Sequence, residues 1–139
     1  MILFSRPLYD ELVRQAYRGD DEEICGILGG EYSEERSRVT SVYQAENAAD
    51  VPTVRYYIDP EEQLELTERI EAEGDEVIGF YHSHPAGPSE PSDTDAERAT
   101  WPDRSYVIVA LDGYPYVGSW RWRADRAFFD LERVVVKRG

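Results

Sequence analysis

The stretch Val77 to Asp95, VIGFYHSHPAGPSEPSDTD, constrains the fold of this 139-residue chain more than any other. Val77-Ile78-Gly79-Phe80-Tyr81 is apolar and β-prone, and predicts a strand that runs on through His82 and His84. Residues i and i+2 of a strand project from one face, so both histidines of the protein are expected side by side. Pro85, Gly87, Pro88 and Pro91 then forbid regular structure, and Ser92 to Ala99 reads as the start of a helix. A carboxylate on its first turn, Asp95, can fold back onto the histidines. Two imidazoles and a carboxylate are donors from which a catalytic zinc site is built, with the fourth position kept for water.

Plainer readings stand beside this one. Two strand histidines also occur as surface or hydrogen-bonded core residues, and Ser92 with Asp95 three residues later fits a helix capping box that needs no metal. The capping and metal readings are compatible, because a first helical turn can offer Asp95 to a cation while Ser92 satisfies an amide. The zinc motif of nucleobase deaminases is excluded, since the chain has neither its His-x-Glu nor its Pro-Cys-x-x-Cys.

His82-Ser83-His84-Pro85, followed by Ser92 and Asp95, resembles the His-x-His-Pro-x6-Ser-x2-Asp signature of the JAMM (MPN-plus) metalloproteases in identity and spacing. That family's upstream glutamate, in a Glu-x-Cys-Gly-x-Leu context, is matched by Glu23-Ile24-Cys25-Gly26-Ile27-Leu28. The resemblance implies one Zn2+ per chain, held by His82, His84 and Asp95, with Glu23 as general base for the attacking water and Ser92 as donor to the oxyanion. No covalent intermediate is required, and Ser83, facing the other side of the strand, is assigned to structure. The implied substrates are isopeptide bonds between ubiquitin-like modifier proteins, in an archaeon small archaeal modifiers, and the lysines of their conjugates. A related branch releases cysteine from a ubiquitin-fold sulfur carrier. From a different class come a non-catalytic scaffold of the same fold and a closed structural zinc, for which one cysteine and two histidines are a poor ligand supply. In the family the segment before the second helix receives the extended substrate tail as an added strand; Tyr56 and Tyr57 either line that tail or are ordinary strand aromatics.

Composition narrows the setting. The net charge is -14, and among the basic residues Lys137 is the only lysine. Nucleic acid and anionic membrane surfaces are therefore excluded as partners. An acidic, lysine-poor surface fits a protein adapted to high salt, where carboxylates hold hydration and salt screens their repulsion; an ordinary acidic cytosolic protein is the alternative. Met1-Ile2-Leu3-Phe4 is too short for a signal-peptide core, no apolar run reaches membrane-spanning length, and a single cysteine forms no internal disulfide, so a cytoplasmic location is expected. Cys25, among apolar strand residues, reads as a small core filler.

In chain order, the sequence predicts a first helix with Pro7 in its first turn and Leu8, Leu12, Val13, Ala16 and Tyr17 on its apolar face, ending before Gly19. Glu23 then opens a strand, Ile24 to Leu28, with Gly29-Gly30 as the turn after it. A second strand is expected over 38–45 and a short β-prone run over 54–58. A second helix is expected with Asp59 as cap, Pro60 first and Glu62 reaching back, carrying Leu64, Leu66 and Ile70 on its buried side and ending near Gly74. Beyond the histidines, 106–111 reads as a buried strand, Asp112-Gly113 as a hairpin turn and 116–122 as its partner. A final run, 131–136, closes the chain; Trp101, Trp120 and Trp122 read as packing residues. The fold class is α/β (α+β in detail), one domain over 1–139, with a curved mixed sheet of about six strands and flanking helices.

Overall fold

Apolar alternation along the chain builds one mixed sheet in the computed structural model, which describes residues 1–112 and 116–138. In chain order the elements are β1 (Ile2–Ser5), α1 (Arg6–Arg18), β2 (Cys25–Glu31), β3 (Ser37–Ala45), α2 (Pro60–Ala72), β4 (Glu76–His84), α3 (Asp93–Arg98), β5 (Ser105–Ala110), β6 (Tyr116–Arg123), β7 (Phe128–Glu132) and β8 (Val134–Lys137). The eight strands lie in the order β7-β6-β5-β4-β2-β3-β1-β8, so β4 sits centrally, antiparallel to β2 and parallel to β5. The edge strands β7 and β8 are consecutive in sequence, which requires the sheet to curl until its two edges approach each other.

Two strands exceed the expected six. The chain opens on β1, too short to show a period of its own, yet Ile2 and Phe4 are fully buried and β1 pairs parallel with both β3 and β8. The final run divides at Arg133 into β7, bonded to β6, and β8, bonded to β1. Ser5 Oγ caps α1 by accepting from Leu8 N at 3.4 Å, and Leu12 and Ala16 are buried as expected, whereas Tyr17 is exposed. Asp59 caps α2 by accepting from Glu61 N; Glu62 instead accepts from Glu46 N at 2.9 Å, tying α2 to the end of β3. Leu66 and Ile70 are buried and Leu64 is exposed. Residues 54–58 form no strand. Strands β5 and β6 pair as a hairpin, while Gly113 of its expected turn lies outside the described residues.

Gly29-Gly30 is not a turn either. Both glycines lie inside β2, at a bulge where its register shifts against β3 and β4. A Cβ on Gly30 would sit 1.9 Å from Arg38 O, so this close approach demands glycine. The bulge skips Ile78 on β4, which places Val77 and Phe80 on one face with Cys25, Ile27, Leu66 and Ile70, under α2. The other face gathers Ile78 and Tyr81 with Leu12, Ala16, Ile2 and Phe4, under α1. No helix among the described residues is long and apolar enough to cross a membrane.

The seam where the sheet nearly closes is held by charge. Glu132, 5% exposed, accepts from Ser105 Oγ at 2.6 Å, Ser119 Oγ at 2.7 Å and Arg121 Nε at 2.8 Å, and Arg121 is 2% exposed. Burial raises the Glu132 carboxyl pKa, but the two hydroxyls, Arg121 and the Met1 amine outweigh it and hold the group below the usual glutamate range. Removing one partner of such a buried pair costs roughly 3–5 kcal/mol. Glu132→Gln should therefore lose stability on that scale at neutral pH in denaturant titration. Because the folded pKa is depressed, this stabilisation is present above the unfolded value of about 4.3 and is lost as pH falls through the folded value. The difference between wild type and variant should accordingly shrink on acidification below about pH 4; a gap that widens there would contradict the assignment.

Candidate active site

The β pleat sends Phe80, His82 and His84 to the α2 face, and Tyr81 and Ser83 to the other. Ser83 Oγ accepts from Ile24 N at 2.9 Å, a buried bond that fastens β4 to the entry of β2. His82 pairs in register with Cys25, which brings the chain just ahead of β2, including Glu23, to the histidines. Beyond His84 the chain leaves the sheet and turns at Gly87, whose φ of +124° favours glycine. This turn lays Pro88 O against His84 Nδ1 at 2.8 Å. A carbonyl only accepts, so Nδ1 carries a proton, and in the neutral ring the lone pair of His84 is on Nε2.

Ser92 starts α3 with a reciprocal capping box: its Oγ accepts from Asp95 N at 3.1 Å, and its own N–H donates to Asp95 Oδ2 at 2.8 Å. The box fixes the carboxylate and leaves the Ser92 hydroxyl proton free to donate elsewhere. Asp95 Oδ2 lies 3.2 Å from His82 Nε2 and 3.3 Å from His84 Nε2, and the two Nε2 atoms are 3.1 Å apart. Around a tetrahedral ion with bonds of about 2.0–2.1 Å, neighbouring donors stand about 3.3 Å apart. The triangle of His82, His84 and Asp95 thus has the dimensions of three corners of such a site. Glu23 is a looser member, grouped with both histidines within 4.8 Å, and the tighter triangle is the one that Asp95 completes.

Electrostatics point the same way. Burial raises the Asp95 carboxyl, but the two imidazoles and the Ser92 N–H outweigh it, leaving Asp95 an anion well below the usual carboxylate range. Among the described residues no lysine or arginine pairs with it. Burial pulls the His82 pKa down and keeps that ring neutral; burial also lowers His84, but Asp95 and the Pro88 carbonyl raise it further than burial lowers it. Glu23 is 6% exposed, its Oε1 has no hydrogen-bond partner among the described residues, and burial pushes its pKa up to about 7. A buried anion, two imidazole Nε2 atoms and an unsatisfied carboxylate oxygen form a cluster suited to a metal ion, and the residues present fit one.

The structure therefore brings together every residue singled out from the sequence: Glu23, His82, His84, Ser92 and Asp95. Glu23 lies two residues ahead of β2 rather than opening it, and its backbone is held by side-chain and loop bonds, Glu23 N to Pro52 O at 2.8 Å and Asn47 Nδ2 to Glu23 O at 2.9 Å. Glu22 is exposed. Cys25 is fully buried and burial pushes its thiol up to about 12, in keeping with a core filler. Three further residues join the site: Tyr56, expected only as a tail-lining or ordinary strand aromatic, and Arg98 and Asn47, which had no sequence signal. The Tyr56 ring stacks on His82 at 4.4 Å between centroids, Arg98 Nη1 donates to Tyr56 O at 2.9 Å, and Asn47 binds the loop. Beside them a cavity of about 370 Å³ is lined by Tyr56, Tyr57, Phe80, Arg98, Trp101 and Tyr106. Trp101, expected as packing alone, forms part of this wall while its ring meets Phe80 edge-on.

The family model described as prokaryotic homologs of the JAB domain matches residues 5–125. The chain is 44% identical over 108 residues to a protein of Haloferax volcanii named desampylase, covering 77% of this chain and 76% of that one. It is 34% identical over 111 residues to a protein of Mycobacterium tuberculosis named CysO-cysteine peptidase, covering 79% and 73% respectively. A solution structure of a protein from Desulfitobacterium hafniense superposes with a TM-score of 0.89 at 30% identity, over 100% of this chain and 94% of the other. A match over most of the length, on a chain whose histidines, aspartate and glutamate converge as described, leaves one conclusion: this protein belongs to the family of prokaryotic JAB-domain homologues.

Proposed function

We propose that this protein is a zinc-dependent isopeptidase that removes small ubiquitin-like modifiers from the lysines of other proteins. The observation that carries this reading is the donor triangle of His82, His84 and Asp95 beside the buried carboxylate of Glu23. The 44% identity to a protein named desampylase supports the substrate class. Release of cysteine from a ubiquitin-fold carrier is the second reading, supported by the weaker likeness to the CysO-cysteine peptidase. Side-by-side assays with an isopeptide conjugate and a carrier-cysteine adduct separate the two.

In this mechanism His82 and His84, through Nε2, and Asp95, through Oδ2, would hold the ion. When bound, zinc supplies a Lewis acid that brings water ionisation toward neutral pH and polarises a carbonyl. Glu23, buried beside the histidines with an unsatisfied oxygen, accepts the proton of the attacking water and returns it to the departing lysine amine. The Ser92 hydroxyl, whose lone pair serves the α3 cap, donates to the carbonyl oxygen as negative charge builds there. Cleavage needs no side-chain nucleophile, consistent with the buried, fully protonated Cys25. The acidic, lysine-poor surface supports work in a high-salt cytoplasm.

Elemental analysis of the purified chain should find about one zinc, and His82→Ala, His84→Ala and Asp95→Ala should each lose metal and activity together; a fully loaded, active His84→Ala protein would sink the assignment. Glu23→Gln should keep its metal and lose turnover by about 10²–10⁴, while Glu22→Gln should be nearly silent, and kinetics that invert this order would assign the base to the wrong residue. Salt offers a separate check. At a net charge of -14 this chain repels an acidic modifier over some 30 Å at about 0.01 M ionic strength but only about 3 Å near 1 M, so cleavage of a conjugate of an acidic modifier should rise toward molar salt, followed alongside tryptophan fluorescence. Activity that falls steadily with salt while the fold stays intact would rule out the halophilic reading.

A further inference from the structure

The two histidines of the site are held by different means. His84 has the usual support of a ligand imidazole, because its Nδ1 donates to a backbone carbonyl at 2.8 Å and the ring cannot turn without breaking that bond. His82 has no such bond. Its Nδ1 is buried and has no hydrogen-bond partner among the described residues, although the ring is 1% exposed. Apart from the contacts of its Nε2 with Asp95 and His84, what holds the ring is the face of Tyr56, stacked at 4.4 Å and inclined by only 25°.

Tyr56 lies in the irregular segment 47–57 between β3 and α2, which carries no ladder of its own. Its position is set by Asn47, every one of whose side-chain hydrogen-bonding sites is used. Nδ2 donates to Arg55 O at 3.0 Å and to Glu23 O at 2.9 Å; Oδ1 accepts from Tyr57 N at 3.1 Å and from Ala49 N at 3.0 Å. One amide therefore grips the residues on both sides of Tyr56 and, with the same nitrogen, the peptide of Glu23. Arg98, at the end of the helix that presents Asp95, closes the arrangement by donating to Tyr56 O at 2.9 Å. The segment thus ties together the three parts of the chain that supply the site: the approach to β2, the end of β4 and α3.

We infer that Tyr56 is the positioning residue for His82, its ring taking the place of the second hydrogen bond that a ligand imidazole normally makes, and that Asn47 fixes Tyr56 and Glu23 as one unit. The requirement is for an aromatic face, not for the phenol. This inference rests on the metal reading above only where metal binding is the readout.

Two measurements test it on the full-length protein. The first uses metal-free protein and follows the ring nitrogens by long-range ¹H–¹⁵N NMR. The chain has two histidines, so His84, fastened to Pro88, serves as the internal reference. Tyr56→Leu should broaden or split the His82 signals and leave those of His84 unchanged, whereas Tyr56→Phe should leave both as in wild type. The second titrates zinc against a chromophoric chelator. Loss of groups that orient metal ligands typically weakens binding by about 10–100-fold, and Tyr56→Leu and Asn47→Ala should fall in that range, with Tyr56→Phe within about two-fold of wild type. Ile70→Val, a core change on the buried face of α2, should lower the thermal midpoint and bind zinc as wild type does. Unchanged His82 signals and unchanged zinc affinity in Tyr56→Leu would overturn the inference while leaving the metal reading intact. Equal losses in Tyr56→Leu and in Ile70→Val would overturn it as well, by tracing the effect to general destabilisation. A wild-type chain that takes up no zinc while Tyr56→Leu still frees His82 would overturn the metal reading and support the positioning role.

Discussion

Everything around the site answers to one costly arrangement: a carboxylate oxygen and two imidazole nitrogens pointed at a common centre, each within 3.3 Å of the other two, away from bulk water. Such groups drift apart or recruit counter-charges unless something rigid holds them. Here rigidity comes from three directions. The central strand β4 fixes the spacing of the histidines, the capping box fixes the carboxylate, and the Asn47 segment fixes Tyr56 against His82 and grips the Glu23 peptide. The two cores beneath α1 and α2 bury the strand from both sides, so that it is anchored well before it reaches the histidines.

How much of this could be read from sequence depended on distance along the chain. His82, His84, Ser92 and Asp95 lie on one strand, one loop and one helical turn, and local rules of alternation and capping were enough to bring them together. Glu23 was different: only its likeness to a family motif singled it out, because the pairing of Cys25 with His82 is a register that no local pattern announces. Asn47 gave no signal at all, and Tyr56 only a choice between lining a substrate tail and being an ordinary strand aromatic, with nothing to tie it to His82. Their contacts run to backbone groups and to a ring face, in a segment with no period, and such contacts leave no trace in composition.

The fold departed from local reading where tertiary contact overruled propensity. A Gly-Gly pair is normally a turn, yet Gly29-Gly30 continue a strand because Arg38 O leaves no space for a side chain at Gly30. Tyr56-Tyr57-Ile58 has strand-forming residues, but its neighbouring backbone groups are taken by Asn47 and Ala48, which leaves no free ladder to extend. β1 was hidden by its shortness. It is justified by two parallel neighbours, which supply the pairing that four residues could not sustain alone.

The burial of Cys25 has a consequence for redox chemistry. Thiolates, not thiols, are alkylated and oxidised, and a fully buried sulfur with a pKa pushed up to about 12 presents almost none at neutral pH. No other cysteine exists in the chain. A deconjugating enzyme built around a reactive thiol is switched off when peroxide rises, and is open to electrophiles that seek such a group. In this chain the one cysteine is buried and held as the thiol, so it offers no such point of attack.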